Sequence, residues 1–392
     1  MLNTSLPPWP AFSEEEIETV ARLLRSGRVN YWTGEEGRLF EREFAAWTGT
    51  SHAVALANGT LALDVVLHGL GIGPGDEVIV TPRTFIASVS CVVNIGATPV
   101  FADVDRDSGN LSAATIAPML TERTKAIIPV HLGGWPCDMG PIMDLARGRG
   151  IAVIEDCAQA HGATYGGRSV GGIGTAGAWS FCQDKIITTG GEGGMVTTDD
   201  ADLWSRIWSF KDHGKSWEAV YEREHPPGYR WLHESFGTNW RMLEVQAAIG
   251  RIQLRRLAEW TAARTRNALF LQEIASRFPQ ALRAPLPPEG STHAYYRYYA
   301  YVRPDGLRDG WSRDRIVAAV NALGAPLFHG GCSEVYLEKA FEGTGYAPLQ
   351  RLPAARELGE TSLMFLTHPN IGAADLARVG EAFEQVMSEA SR

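Results

Sequence analysis

Little in this chain points toward nucleic acid, a membrane or an oxidising compartment. Its five cysteines, Cys91, Cys137, Cys157, Cys182 and Cys332, are odd in number and scattered, with no C-x-x-C pair. That spacing speaks against a disulfide framework and for a reducing compartment. Basic charge is also short: the net charge is -9 and no basic run offsets it, which argues against general affinity for nucleic acid. An anionic ligand therefore has to be met by a local cluster of donors. No apolar run approaches the roughly 20 residues of a membrane span. Met1–Trp9 lacks the basic and apolar stretches of a signal peptide. A cytoplasmic protein is expected. Internal repeats, low-complexity tracts and metal-ligand spacings are missing too, and no metal is expected.

What is present begins with length. At 392 residues the chain exceeds one typical domain. The expected division is a large α/β domain over 1–250, then a connecting helix and smaller C-terminal α+β domain over 251–392. Phe12-Ser13-Glu14-Glu15-Glu16-Ile17 predicts a helix start, with Ser13 capping, Glu16 reaching back and Phe12 stapling onto Ile17. This helix should run to Ser26-Gly27, and a second is expected near Gly37 to Trp47. From Ala53 to Thr198, short apolar runs alternate with helical segments. The strands read Ala53–Ala57, Glu77–Val80, Pro99–Asp103, Ala126–His131, Ile151–Glu155, Gly177–Phe181 and Gly194–Thr198. Continuous short apolar runs are what buried parallel strands look like. The fold class is α/β, a mostly parallel seven-stranded sheet flanked by helices. Ligands of such sheets bind at the carboxyl ends of the strands, which directs attention to the residues that follow them.

Those residues carry chemistry. Lys185 sits on a polar turn after the run ending at Ser180-Phe181, framed by the glycines around Glu192. Partial desolvation there is expected to lower its pKa and yield a nucleophilic amine. Asn58-Gly59-Thr60 opens a helix whose free amides suit a phosphate. Phe85 lies near the same edge, either stacking on a flat ligand or packing in the core. Asp156 closes an apolar run and needs a charged partner or several donors, with Gln159 close behind. Gly172-Ile-Gly174-Thr-Ala-Gly177 matches G-x-G-x-x-G, but a strand follows it, so it marks no dinucleotide site. The loop Val29–Gly34, with Tyr31, is a substrate contact or a packing loop.

A phosphate turn, a stacking aromatic, a buried aspartate and a desolvated lysine together match the needs of pyridoxal phosphate. The pattern resembles the fold-type I pyridoxal phosphate enzymes and, within them, the DegT/StrS family of sugar aminotransferases. It extends from Phe12–Glu16 through Gly59-Thr60, Glu155–Ala160, Ser180-Phe181, Lys185 and Gly191–Gly194 to Gly237–Met242 and Gln246–Gly250. The resemblance implies that Lys185 holds the cofactor and that Asp156 faces its pyridine nitrogen. Phe85 would stack on the ring and Gln159 lie beside the ring oxygen. Gly59, Thr60 and Ser180 would form the phosphate cup, and Asn239 would reach the phosphate of a neighbouring subunit in an obligate homodimer. Relatives with histidine in place of the lysine are dehydratases, so Lys185 implies transamination. The expected reaction moves an amino group from an amino acid, by resemblance L-glutamate, to a keto-deoxysugar nucleotide. A keto-inositol or aromatic-precursor substrate, or a catalytically silent regulator, are the alternatives.

Trp208–Phe236, with Lys211, His213, Lys215 and Arg230, resembles the family's mobile substrate loop or is a solvated loop. Tyr31, Lys215, Arg241 and His329 are the candidate substrate contacts. His329 lies in Pro326–Cys332, which departs from the commoner family form with two spaced histidines. A long helix is expected from Met242 to about Ser276, with Asn239 at its start. Strand Arg297–Arg303 and helix Arg313–Leu323 should follow in the small domain.

Overall fold

The computed structural model of the chain describes residues 4–392. Helix α1 (Glu14–Ser26) starts where the Ser13 amide and hydroxyl both donate to Glu16, at 2.7 and 2.8 Å. It ends on Gly27, whose φ of 67° is open to glycine at no steric cost. Phe12 and Ile17 are both largely exposed. Helix α2 (Glu36–Thr48) turns Phe40 and Phe44 inward, where both pack on Phe181.

The chain then alternates through β1 (His52–Leu56), α3 (Gly59–Gly69), β2 (Glu77–Val80), α4 (Ala87–Asn94), β3 (Thr98–Phe101) and β4 (Thr124–Ile128). It continues as α5 (Met139–Arg147), β5 (Ala152–Asp156), β6 (Ala176–Ser180) and β7 (Gly194–Thr198). One sheet results, in the order β1-β7-β6-β5-β4-β2-β3. Neighbours run parallel except β7, which is antiparallel to both β1 and β6. Val78, Ile79, Val80, Ile127 and Ile128 are buried whichever face they point to, which is why these strands read as unbroken apolar runs. The fourth strand is interrupted at Pro129, which has no amide for the ladder, and pairing toward the expected end at His131 resumes only as a bridge between Val130 and Asp156. Asp156, the last residue of β5, pairs in register with Ala178, two residues before Ser180 ends β6.

After α6 (Ala201–Phe210), a long irregular stretch leads to α7 (Glu244–Ser276). The near end of α7 packs on α1 and α2. At its far end Ala268, Leu271, Ile274 and Ala275 join the core of the small domain. Residues 250 and 251, where a division was expected, lie within this one helix. The small domain is built from β8 (Leu282–Arg283), β9 (Arg297–Val302), α8 (Arg313–Ala322), α9 (Pro353–Thr361), β10 (Ser362–Leu366) and α10 (Ala373–Ala390). Its antiparallel sheet has the order β8-β9-β10. The N-terminal arm is strapped across this domain. Leu6 enters its core, Ser5 Oγ donates to the Gly324 carbonyl at 2.9 Å, and Asn370 Nδ2 donates to the Pro8 carbonyl at 2.7 Å. No helix among the described residues is long and apolar enough to cross a membrane.

Candidate active site

Lys185 is held through its backbone from several directions. Its amide donates to the Cys182 carbonyl at 3.1 Å, and the indole of Trp9 donates to its own carbonyl at 2.8 Å. The next two residues, Ile186 and Ile187, are wholly buried and anchor the turn. The side chain reaches toward the small domain, with Nζ 5.2 Å from the ring centre of Tyr296. Beside it, Asp184 accepts from the Tyr296 hydroxyl at 2.5 Å and faces Arg297 at 3.4 Å.

The charge state of Lys185 differs from the sequence expectation. Burial does push its pKa down, as expected, but Tyr296, Asp184 and Asp156 outweigh burial, and the net shift is upward. Burial raises Tyr296 itself above the ordinary tyrosine value, so near neutrality it is a phenol. The anions that keep Lys185 protonated there are Asp184 and Asp156. Desolvation alone would lower the pKa; the counter-charges of Asp184, adjacent in sequence, and Asp156, at the end of β5, decide the sign.

Asp156 ends β5 with both oxygens engaged. Oδ2 accepts from Ser88 Oγ at 2.7 Å, and Oδ1 accepts from the Ala158 amide at 3.1 Å. Ser88 lies 2.7 Å from Thr84 Oγ1, and all three residues are buried. Next to Thr84, Phe85 is 69% exposed, so it is no core residue of this chain and its ring is free to cover a ligand. Gln159 Oε1 accepts from the Gly133 amide at 2.8 Å.

The turn into α3 adjoins the end of β6. A Cβ at Gly59 would lie 2.5 Å from Ser180 Cβ, and one at Gly194 would lie 2.2 Å from the Asn58 carbonyl oxygen. Only glycine permits this approach. Asn58 caps α3 by accepting from the Leu61 amide at 3.0 Å, and first-turn geometry leaves the Gly59 and Thr60 amides without intrahelical acceptors. Gly59, Thr60 and Ser180 thus converge on a cradle whose donors suit a phosphate dianion. The donor set fits pyridoxal phosphate: a phosphate cradle, a carboxylate for the pyridine nitrogen, an exposed ring and a lysine.

Several participants escaped the sequence reading: Ser88, Thr84, Trp9, Asp184, Tyr296 and the buried pair His131–Glu155. Glu155 accepts from the amides of Gly171, Ile173 and Gly174 at 2.8, 2.8 and 2.6 Å, and lies 3.1 Å from His131 Nε2. The glycine-rich run dismissed as a dinucleotide site therefore wraps a carboxylate of its own chain. His131, Glu155 and Cys157 come within 4.8 Å of one another, as metal ligands would. The Glu155 oxygens are saturated with donors, however, and His131 Nδ1 accepts from the Cys137 amide at 2.9 Å, which leaves a metal little to bind.

Other expectations need correcting. Tyr31 is 1% exposed; its hydroxyl donates to Glu41 at 3.0 Å and accepts from Trp208 at 3.2 Å, so it is a core residue and no substrate contact in this chain. Lys211, placed in a substrate loop, is buried in an ion pair with Glu41 at 3.0 Å. Lys215 and Arg241 share one buried carboxylate, Asp212, at 3.3 and 2.6 Å. His329, on the small domain, is half exposed and lies 3.3 Å from Asp314. Asn239 is exposed and lies in an extended segment bridged to Asp212, not at the start of α7, which begins at Glu244. It therefore caps no helix.

A lysine and an aspartate at adjoining strand ends, over a glycine-built anion cradle, belong to an α/β aminotransferase of fold-type I. The chain is a member of the DegT/DnrJ/EryC1/StrS aminotransferase family, whose pattern it matches over residues 10–384. An aminotransferase from Psychrobacter cryohalolentis superposes with a TM-score of 0.97 at 59% identity, over 98% of this chain and 99% of that one. GDP-perosamine synthase from Caulobacter vibrioides is 38% identical, over 91% of this chain and 92% of its own length. UDP-N-acetyl-3-dehydro-alpha-D-glucosamine 3-aminotransferase from Acidithiobacillus ferrooxidans is 36% identical, over 98% of this chain and 99% of its own. The family is dependent on pyridoxal phosphate, and the chain is an aminotransferase by membership.

Proposed function

We propose that this chain binds pyridoxal phosphate and moves an amino group from an amino acid, L-glutamate by family resemblance, to the keto group of a nucleotide-linked deoxysugar. The product would be an amino sugar for a surface polysaccharide or glycosylated metabolite, and the working unit a homodimer with shared sites in the cytoplasm. The observation that carries this reading is the convergence of Lys185, Asp156 and the Gly59–Ser180 cradle at adjoining strand ends. The names of the GDP- and UDP-linked relatives support a nucleotide sugar as acceptor.

When bound, the cofactor supplies an aldehyde that accepts the amino group and a ring that absorbs the electrons released at the substrate carbon. The chain's residues do the rest. The amides of Gly59 and Thr60 and the hydroxyl of Ser180 bind phosphate. The Asp156 carboxylate, fixed by Ser88 and the Ala158 amide, would meet the pyridine nitrogen as a preorganised anion. Phe85 would cover one face of the ring. Lys185 Nζ holds the cofactor at rest, and once displaced it moves the proton to and from the substrate carbon. Asp184, beside it on the turn and bonded to Tyr296 of the small domain, and Asp156 would stabilise the charge that Nζ takes up when it is free of the cofactor.

A half-reaction screen tests the assignment. Protein converted to the pyridoxamine form with L-glutamate is mixed with GDP- and UDP-linked keto sugars, a keto-inositol and an aromatic-precursor ketone. Loss of the pyridoxamine absorbance is expected with a keto-sugar nucleotide. Loss only with one of the other two would move the function to that substrate class.

A further inference from the structure

Beneath the lysine turn, between α7 and the N-terminal arm, lies a buried polar cluster that the reaction described above does not use. Its centre is Arg264, which is wholly buried and pairs with no carboxylate among the described residues. Nη1 reaches only the Tyr296 carbonyl, at 3.5 Å, and the guanidinium lies over the Trp9 ring at 5.0 Å. Its Nε and Nη2 are both without a partner. One helical turn earlier, Thr261 has an unpartnered Oγ1, pressed so close to Gly162 that a Cβ there would lie 2.5 Å from it. The neighbouring His161 is wholly buried with both ring nitrogens unpartnered. His368 stacks on Trp9 at 6.0 Å, with Nδ1 also unpartnered.

This grouping is rich in donors and poor in acceptors. The neighbouring carboxylate, Asp184, is already engaged by Tyr296 and Arg297. Arginine cannot escape burial by giving up its proton at neutral pH, and a lone buried cation is strongly disfavoured. Burial and the charge of Arg297 push the Arg264 guanidinium down to about 9, which shows how little compensation the chain supplies. Both histidines are held neutral near pH 7, burial driving each to about 3, so each keeps one ring N–H to donate and adds no charge of its own. We propose that this cluster is a binding site for a small monovalent inorganic anion of the halide class, held by Arg264, Thr261 and His161. A halide only accepts hydrogen bonds, so it asks for no acceptor in return from a cluster that has few to offer. His161 feels the charges of both Lys185 and Arg264, so the ion would lie within the field of the catalytic lysine and favour its charged form.

Crystals grown with bromide in place of chloride test the site without reference to catalysis. An anomalous peak is expected beside Arg264 Nε and Nη2, and its loss is expected in Arg264→Gln. In solution, the melting temperature should rise with bromide concentration at constant ionic strength, because an ion that binds only the folded chain stabilises it. Thr261→Val keeps the charge and nearly the shape, and should move this dependence to several-fold higher bromide even if Arg264→Gln does not fold. Water in place of an anomalous scatterer, or a melting temperature indifferent to bromide, overturns the proposal.

Discussion

Ser88 Oγ lies 2.7 Å from Oδ2 of Asp156 and the same distance from Thr84 Oγ1. A serine hydroxyl has one proton, and the ionised carboxylate can only accept, so that proton points at Asp156. Thr84 must then donate to Ser88. The two hydroxyls form a directed relay that ends on the carboxylate proposed to face the pyridine nitrogen, and Thr84 is chain neighbour to Phe85. The relay makes Ser88 a positioning residue. Ser88→Ala should lower kcat by about tenfold to a hundredfold, the worth of one hydrogen bond to a charged group, and shift the visible spectrum of the cofactor-loaded protein. Ser88→Thr, which restores the hydroxyl, should recover most of both. An alanine variant with normal kcat and spectrum would show that Asp156 needs no such support.

Buried neutral histidines set an acid limit on stability. Burial holds His161, His293 and His368 near 3, against an ordinary value of 6.5, with Lys185 and Arg264 adding to the effect at His161. Between these values the unfolded chain binds protons that the folded chain does not. Stability therefore rises with pH from about 3 to about 6.5, is fully present above that window, and is lost as the pH falls through it. Each histidine contributes a slope of up to about 1.4 kcal/mol per pH unit. Denaturant unfolding of His293→Gln across this window should show a shallower pH dependence by about that slope. An unchanged slope would mean that His293 titrates normally in the folded protein.

The fold and the centre of the site were legible in sequence for a simple reason. Strands buried on both faces must be continuously apolar, so charged residues that close such a run, as Glu155 and Asp156 do after Ile154, stand out. Lys185 stands out similarly, because glycines crowd one side of its turn. What remained hidden are contacts between distant segments. Tyr31 read as a loop aromatic because nothing near it in sequence announces Glu41, Lys211 and Trp208 converging on one buried pair. Lys215 and Arg241 read as candidate substrate contacts, because Asp212 becomes their common partner only after the chain folds. Ser88 lies inside a helix, where a serine carries no local mark of the carboxylate it serves. The pKa direction of Lys185 was misjudged partly for the same reason, since Asp156 arrives from another strand, although Asp184 stands beside it in sequence.

Asn239 tests whether each site draws on two chains. Its side chain is exposed and caps no helix, so a purely local stabilising role has no support. The adjoining Trp240 carbonyl accepts from Ala57 of the same chain at 2.9 Å, close to Gly59, so service to its own site is the competing outcome. Inactive Lys185→Ala and Asn239→Ala chains are mixed and allowed to exchange. If Asn239 serves the neighbour, a hybrid dimer has one site with both lesions and one with neither. Random mixing makes about half the dimers hybrids, so activity should return to about a quarter of wild type. No recovery after confirmed exchange would place Asn239 in its own subunit's site.

The central claim is that Lys185 is the residue that carries the cofactor. Protein loaded with pyridoxal phosphate, reduced with borohydride and digested should yield one pyridoxylated peptide, modified at Lys185. Lys185→Ala should retain the cofactor without a covalent label and lose turnover by several orders of magnitude, because one amine serves as both nucleophile and proton carrier. A label on any other lysine, or no label on the wild-type chain, would contradict the account.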